Sequence, residues 1–376
     1  MPATDPRLKR RRDANGEFVT RNGKDVWTAE LPLPPTADGK RRKSRFTFVG
    51  NKTDANKALV ARISEITDGS YVSPDRSAFG AFLSEWLVTS KARYGAKTFE
   101  RFESMARVHI IPTLGDVSLQ KLTAAHLNRA YAGWIAAGLS AQTAKHHHRL
   151  IHVALVSAVK QGRVRLNVAS IADCPRVDRA ERKHFAPDEL KAIFAAAEGS
   201  PIAAVIALAL ATGARRGEIL AIRWGDVDGS RLAIRRALVE TNAGVSIKTP
   251  KNGRARVVTL PQSAMKLLEE LRPPNAAEGD YVFGDGITPI EPDSVTKRFR
   301  TILAKAKVKG GTFHALRHSA ATQLLELHVP PKVVQERLGH SSISITLDTY
   351  SHVMPSLQED AAARLDAVLA PILERR

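Results

Sequence analysis

Residues 312–353 read TFHALRHSAATQLLELHVPPKVVQERLGHSSISITLDTYSHV. The pattern predicts helices over 313–327 and 331–338, with Thr312 as the cap of the first. His314 and Arg317 then stand three residues apart on one helix face. A cation beside an imidazole in the first turns of a helix makes a phosphate site, because the helix N-terminus is itself electropositive. His314 and His318 also have the i, i+4 spacing of a metal pair. However, no Glu follows His314 as in a hydrolytic zinc helix, and no carboxylate cluster is near, so no metal is expected. Gly339 ends the second helix and leaves His340 at a turn, with Tyr350 ten residues later. Taken alone, that tyrosine reads as a core or surface residue.

Upstream, TGARRGE (212–218) follows the apolar run 201–211, which predicts a buried helix. A glycine after such a helix, then Arg215 and Glu218, can turn a guanidinium inward with a carboxylate to brace it. Taken alone, the stretch reads more readily as a helix–turn–helix joint with solvated arginines. Strands are expected at 231–239 and 245–260, the latter folded back at Lys251-Asn252-Gly253. Lys248 lies at the start of that hairpin. Further helices are expected at 187–197, 263–271 and 294–306.

N-terminal to this region, 173–184 is polar and Pro-containing, as a linker is. Before it, apolar spacing predicts four helices, around 79–87, 97–111, 123–135 and 141–159, the third capped by Thr123. The fourth carries Lys145-His146-His147-His148-Arg149, whose three histidines point in different directions and are expected on a polar face near phosphate. Residues 69–77 form a Gly, Ser and Pro linker. The first 75 residues alternate in short apolar stretches broken by Asn22-Gly23 and Asp38-Gly39, which predicts about three antiparallel strands and then a helix through Ala55–Ile66. Basic clusters at Arg7–Arg12 and Lys40–Arg45 mark this segment as a small DNA-binding module.

The chain has 376 residues, enough for two or three domains at roughly 150 each. Its 43% hydrophobic and 25% charged residues exclude wholesale disorder. An excess of 57 Lys and Arg over 38 Asp and Glu gives +19, which points to a polyanionic partner. The longest apolar run, Ile202–Ala211, is about half of the roughly 20 residues that a membrane span needs. With one cysteine, Cys174, neither an internal disulfide framework nor a Cys-rich zinc ribbon is available. The N-terminus lacks the apolar stretch of a secretory signal, so a cytoplasmic protein is expected.

Taken together, TGARRGEIL (212–220), KTPKNGRARVVTL (248–260), HALRHSAA (314–321) and LGHSSISITLDTYSHV (338–353) resemble, in order and spacing, the tyrosine recombinases of the phage integrase branch. Ala214 and Ala315 depart from the usual residues at their positions. The resemblance implies an arm-type DNA-binding domain at 1–70 (sheet plus helix), an all-α core-binding domain at 77–172, and a mainly helical α+β catalytic domain at 181–376. It implies Arg215, Lys248, His314, Arg317 and His340 as catalytic residues, Tyr350 as nucleophile and Glu218 as the brace of the site. Arg41, Arg42, Lys43, Arg45, Lys145 and Arg149 are expected at DNA.

The implied reaction forms a 3′-phosphotyrosyl link and conserves the bond energy, so no ATP or other cofactor is expected, and two guanidiniums gripping the nonbridging oxygens leave no need for a divalent metal. The implied partners are double-stranded attachment sites and three further copies of the chain in a tetramer on DNA. A DNA-bending host protein and an excision factor could join them, at the nucleoid of a bacterial host. A type IB topoisomerase and a non-catalytic regulator with the same fold stay open as alternatives.

Overall fold

The computed structural model describes residues 5, 7–33, 42–69, 71–177, 183–249, 255–350 and 354–373, without the side chains of 345, 348–350 and 354–360. Arg41 and the Lys251–Gly253 turn lie outside the described residues. The chain forms two compact units, 1–178 and 179–376.

In the first unit, β3 (Lys24–Leu33) is the spine of an antiparallel sheet, paired with β1 (Lys9–Arg10), β2 (Thr20–Arg21) and β4 (Arg42–Val49). The long pair runs from Val26 opposite Val49 to Leu33 opposite Arg42. Helix α1 (Lys52–Thr67) starts at Asn51, whose side chain accepts from Asp54 N–H, and lays Ala55 and Leu59 on Leu8, Ala29 and Leu31. About three strands were expected, and the two short ones raise the number to four.

A helical core follows, built by α2 (Phe79–Ser90), α3 (Ala96–Met105), α4 (Ile111–Leu114), α5 (Ala124–Ala136) and α6 (Ala141–Lys160). A π turn at Ala106–Ile110 joins α3 to α4. Thr123 caps α5 as expected, accepting from His126 N–H at 3.3 Å. The basic, His-rich stretch departs from expectation. His147 is fully buried, its ring 4.8 Å from Trp134 and 4.9 Å from His109, because it shares the inward register of Ala144, Leu150 and Ile151. Burial, with the charges of His109, His146 and Arg101, holds its pKa near 4. Lys145 is half-buried and Arg149 exposed, four residues apart on the outer side of α6.

The second unit holds α7 (Pro187–Ala197), α8 (Ala203–Thr212), α9 (Arg216–Leu220), α10 (Gln262–Leu271), α11 (Pro292–Lys305), α12 (Phe313–Glu326), α13 (Pro331–Leu338), α14 (Ile343–Tyr350) and α15 (Met354–Leu373). Its strands correct the sequence reading. The expected strand 231–239 is two, β6 (Arg231–Ile234) and β7 (Ala237–Thr241). Among the described residues, the expected 245–260 hairpin does not pair with itself. β8 (Gly244–Lys248), following a turn at Asn242-Ala243, pairs with β7, while β9 (Arg256–Thr259) pairs with β6. The remaining strand, β5 (Val227–Asp228), flanks β6 on its other side. Helix α8 is buried at its centre, as its apolar composition requires, and packs against α12.

Candidate active site

The site grows from the end of α8. Gly213 stops that helix in the left-handed region (φ 64°), where a side chain is strained, and Arg215 begins α9. Gly217 lets α9 lie directly on β7, since a Cβ there would come within 2.4 Å of the Leu238 carbonyl oxygen. These two approaches fix where Arg215 and Glu218 project.

Glu218 is 1% exposed and fully occupied. Its Oε1 accepts from Arg215 Nη1 at 2.8 Å, and its Oε2 accepts from Arg215 N–H at 2.9 Å and from Arg256 Nη2 at 2.7 Å. Burial pushes this carboxyl up, but the hydrogen bond and charge of Arg256, then those of Arg215, outweigh it and bring the pKa from 4.5 to about 2. A depressed carboxyl pKa contributes stability that is present above about 4.5 and is lost as pH falls towards about 2. Acid titration of unfolding free energy is therefore expected to show this loss below pH 4.5 in the wild type and not in Glu218→Gln.

Arg216 takes another course. Its guanidinium donates to Thr296 Oγ1 on α11, and burial lowers its pKa while Asp293 and Glu240 oppose that. Arg215, the residue favoured by spacing, is the one on Glu218.

Arg317 rises from α12, 3% exposed, and its Nη1 donates to the Gly213 carbonyl at 2.7 Å. It is thereby tied to the segment that presents Arg215. His314, one turn before it, is exposed, with its ring edge-on to His318 at 5.0 Å. Thr312 holds the cap position of α12 without a side-chain capping bond. Gly339 (φ 68°) ends α13, and His340 beyond it places Nδ1 2.8 Å from Thr346 Oγ1 on α14. That helix ends at Tyr350, whose side chain lies outside the described residues. Lys248 is not drawn into this set and stands exposed at the end of β8, opposite Ala237.

Two arginines that sequence reasoning missed hold the parts together. Arg337 on α13 donates to the carbonyls of Thr259 (3.0 Å) and Ala211 (2.6 Å). Arg256 on β9 donates from Nε to the Arg337 carbonyl at 2.9 Å, besides its bond to Glu218. A signal existed for the second: Arg256, Val258 and Leu260 share one side of an alternating strand, so the arginine had to point inward. Among the described residues no three His, Cys, Asp or Glu side chains converge as metal ligands.

Of the other expected DNA residues, Arg42, Lys43 and Arg45 are exposed on β4, where Arg45 pairs with Glu30 at 2.9 Å. No described helix is long and apolar enough to cross a membrane.

A model of the phage integrase family matches residues 183–356, and one of the phage integrase N-terminal SAM-like domain matches 78–135. A tyrosine recombinase XerC-like protein of Caldanaerobacter subterraneus subsp. tengcongensis is 28% identical over 381 residues, covering 92% of this chain and 97% of its own. The integrase of Salmonella phage P22 is 25% identical over 383 residues, covering 92% and 93%. Among solved structures, the Tn1549 transposon integrase in complex with a circular intermediate DNA superposes with TM-score 0.67 at 19% identity, over 77% of this chain and 99% of that one. A lambda integrase dimer bound to a COC′ core site gives TM-score 0.60 at 20% identity, over 93% and 96%. Those structures share the fold. With the two family models spanning well over half of its length and full-length relatives of that family beside them, the chain belongs to the phage integrase family of tyrosine recombinases.

Proposed function

We propose that the chain is a site-specific DNA recombinase that integrates or excises a mobile element through a 3′-phosphotyrosyl intermediate on Tyr350. The observation that carries this reading is the convergence on one short segment, 213–218, of Arg215, braced by Glu218, and Arg317, bonded to the Gly213 carbonyl. Two guanidiniums so placed suit the nonbridging oxygens of one phosphodiester.

The Tyr350 oxygen attacks phosphorus, the P–O5′ bond breaks, and a second 5′-hydroxyl later reverses the step. An ordinary tyrosine, pKa about 10, is roughly one part in a thousand phenolate at pH 7, so its proton must leave during attack, and His314 is the residue we assign to take it. Arg215, Arg317 and His340 stabilise the charge that builds on the five-coordinate phosphorus. Lys248 protonates the departing 5′-oxygen. Because the bond is exchanged rather than hydrolysed no ATP is needed, and the two guanidiniums take the place of a divalent metal at the nonbridging oxygens.

The functional division follows: an arm-type DNA-binding domain at 1–70, a core-binding domain at 77–172 and the catalytic domain at 181–376. Arg41, Arg42, Lys43, Arg45, Lys145 and Arg149 contact phosphates. The lambda integrase has been seen as a tetramer bound to a Holliday junction. A tetramer on paired attachment sites is the assembly we propose here, with a DNA-bending host protein and an excision factor as further partners. Exposure of Leu365, Val368, Leu369, Ile372 and Leu373 on α15 supports its docking on a neighbouring protomer.

The test is covalent capture on nicked DNA carrying the flanks of the parent element, in EDTA, with wild type and Tyr350→Phe. An adduct with wild type only, while both bind, is expected. Exchange between paired sites separates a recombinase from a topoisomerase. Binding without any adduct would favour a regulator, and an adduct in the phenylalanine variant would overturn the nucleophile.

A further inference from the structure

We infer that Arg256 is a positioning residue that couples the Arg215 and His340 sides of the site into one unit. This inference rests on the reaction proposed above. One guanidinium spans two separate elements. Nη2 donates to Glu218 Oε2 at 2.7 Å, and Glu218 in turn holds both the N–H and the Nη1 of Arg215. Nε donates to the Arg337 carbonyl at 2.9 Å, in the last turn of the helix whose end delivers His340.

The contact is close on every side. A Cβ on Gly339 would lie 3.0 Å from Arg256 Nη1, 3.1 Å from its Cδ and 3.2 Å from its Cζ, so the turn before His340 passes directly over the guanidinium. The Arg256 side chain is 11% exposed and Glu218 1%, so water competes weakly for these bonds. Residues 215, 218, 256 and 339 come from three distant stretches of chain, and Arg256 touches two of those stretches directly. Its role is therefore to set the distance between the Arg215 brace and the His340 turn, without contact to substrate.

The planar fork matters. A lysine presents a single ammonium on a flexible stem and cannot hold the carboxylate and the carbonyl in one fixed geometry. Glutamine removes the charge as well, leaving Glu218 buried with Arg215 as its cation. In that variant Glu218 takes up a proton at a higher pH than in wild type, its hold on Arg215 loosens, and the reaction acquires an acid-side loss.

The experiment measures the rate of phosphotyrosyl adduct formation against pH for wild type, R256K, R256Q, E218Q and the double variant, alongside DNA affinity and thermal unfolding. R256Q is expected to be about 100-fold slower, the size of effect that a displacement of about 1 Å produces. DNA affinity should be nearly unchanged, R256K should recover part of the rate, and the acid limb should move upward in R256Q. R256Q should cost much less in the E218Q background than in wild type, because the two act through one network. Additive losses with unshifted pH profiles would overturn the coupling, leaving only a structural role. Should R256Q fail to fold, a folded R256K with wild-type rate and profile would overturn it equally. Absence of adduct in the wild type itself would strike the proposed reaction, which keeps the two failures distinct.

Discussion

Arg317→Ala is expected to slow covalent adduct formation by about 100- to 1,000-fold, roughly 3–4 kcal/mol of barrier, the loss associated with one preorganised donor to a developing oxyanion. Arg317 is 3% exposed and anchored on the Gly213 carbonyl, so its guanidinium is held in place before any phosphate arrives. Such preorganisation is what separates transition-state stabilisation from simple attraction. DNA affinity, spread over many phosphate contacts, should fall little, and it should decline steeply with salt in wild type and variant alike. Single-turnover capture with saturating protein measures the rate, and thermal unfolding confirms that the variant is folded. A folded variant with a near-wild-type rate would remove Arg317 from the chemistry.

Gly217→Ala should damage stability and rate together. Its methyl would sit 2.4 Å from the Leu238 carbonyl oxygen, a backbone atom of a strand fixed by pairing to β8. Neither side has a flexible end to move aside, so α9 must lift from β7. Overpacking of this kind costs about 1–3 kcal/mol. The lifted helix carries Arg215 and Glu218 with it, and a shift of about 1 Å at the reacting groups costs on the order of 100-fold in rate. Urea unfolding and the capture assay read the two losses. Gly133→Ala is the control, because nothing lies within 4 Å of a Cβ there, and its unfolding midpoint should hold or rise. Equal behaviour of the two variants would show that the α9–β7 approach is not what fixes the site.

The parts of the site that were legible in sequence are those set by local spacing. Arg215 and Glu218 meet because they stand three residues apart at a helix start, and Gly213 and Gly339 end their helices in the left-handed region as glycine readily does. His147 was legible too, since it falls in the register of Ala144 and Ile151, but its polar neighbours drew the reading outward. Arg256 was half legible. Alternation with Val258 and Leu260 aimed it inward, while nothing local named Glu218 or the Arg337 carbonyl as its partners.

Sequence by itself determined most of the helices (though not α9, α14 or α15), the basic character, the order of the four motifs and, through them, the family. Each of these depends on residues close along the chain or on composition, where a period of 3.6 or a capping residue carries its own meaning. Tertiary structure alone decided that β8 pairs with β7 and β9 with β6, that Arg216 turns to Thr296, and that Arg256 joins Glu218 to the turn before His340. The physical reason is that alternation specifies which face of a strand is buried but not which strand it meets, and a guanidinium's partners are chosen by the packing that surrounds it.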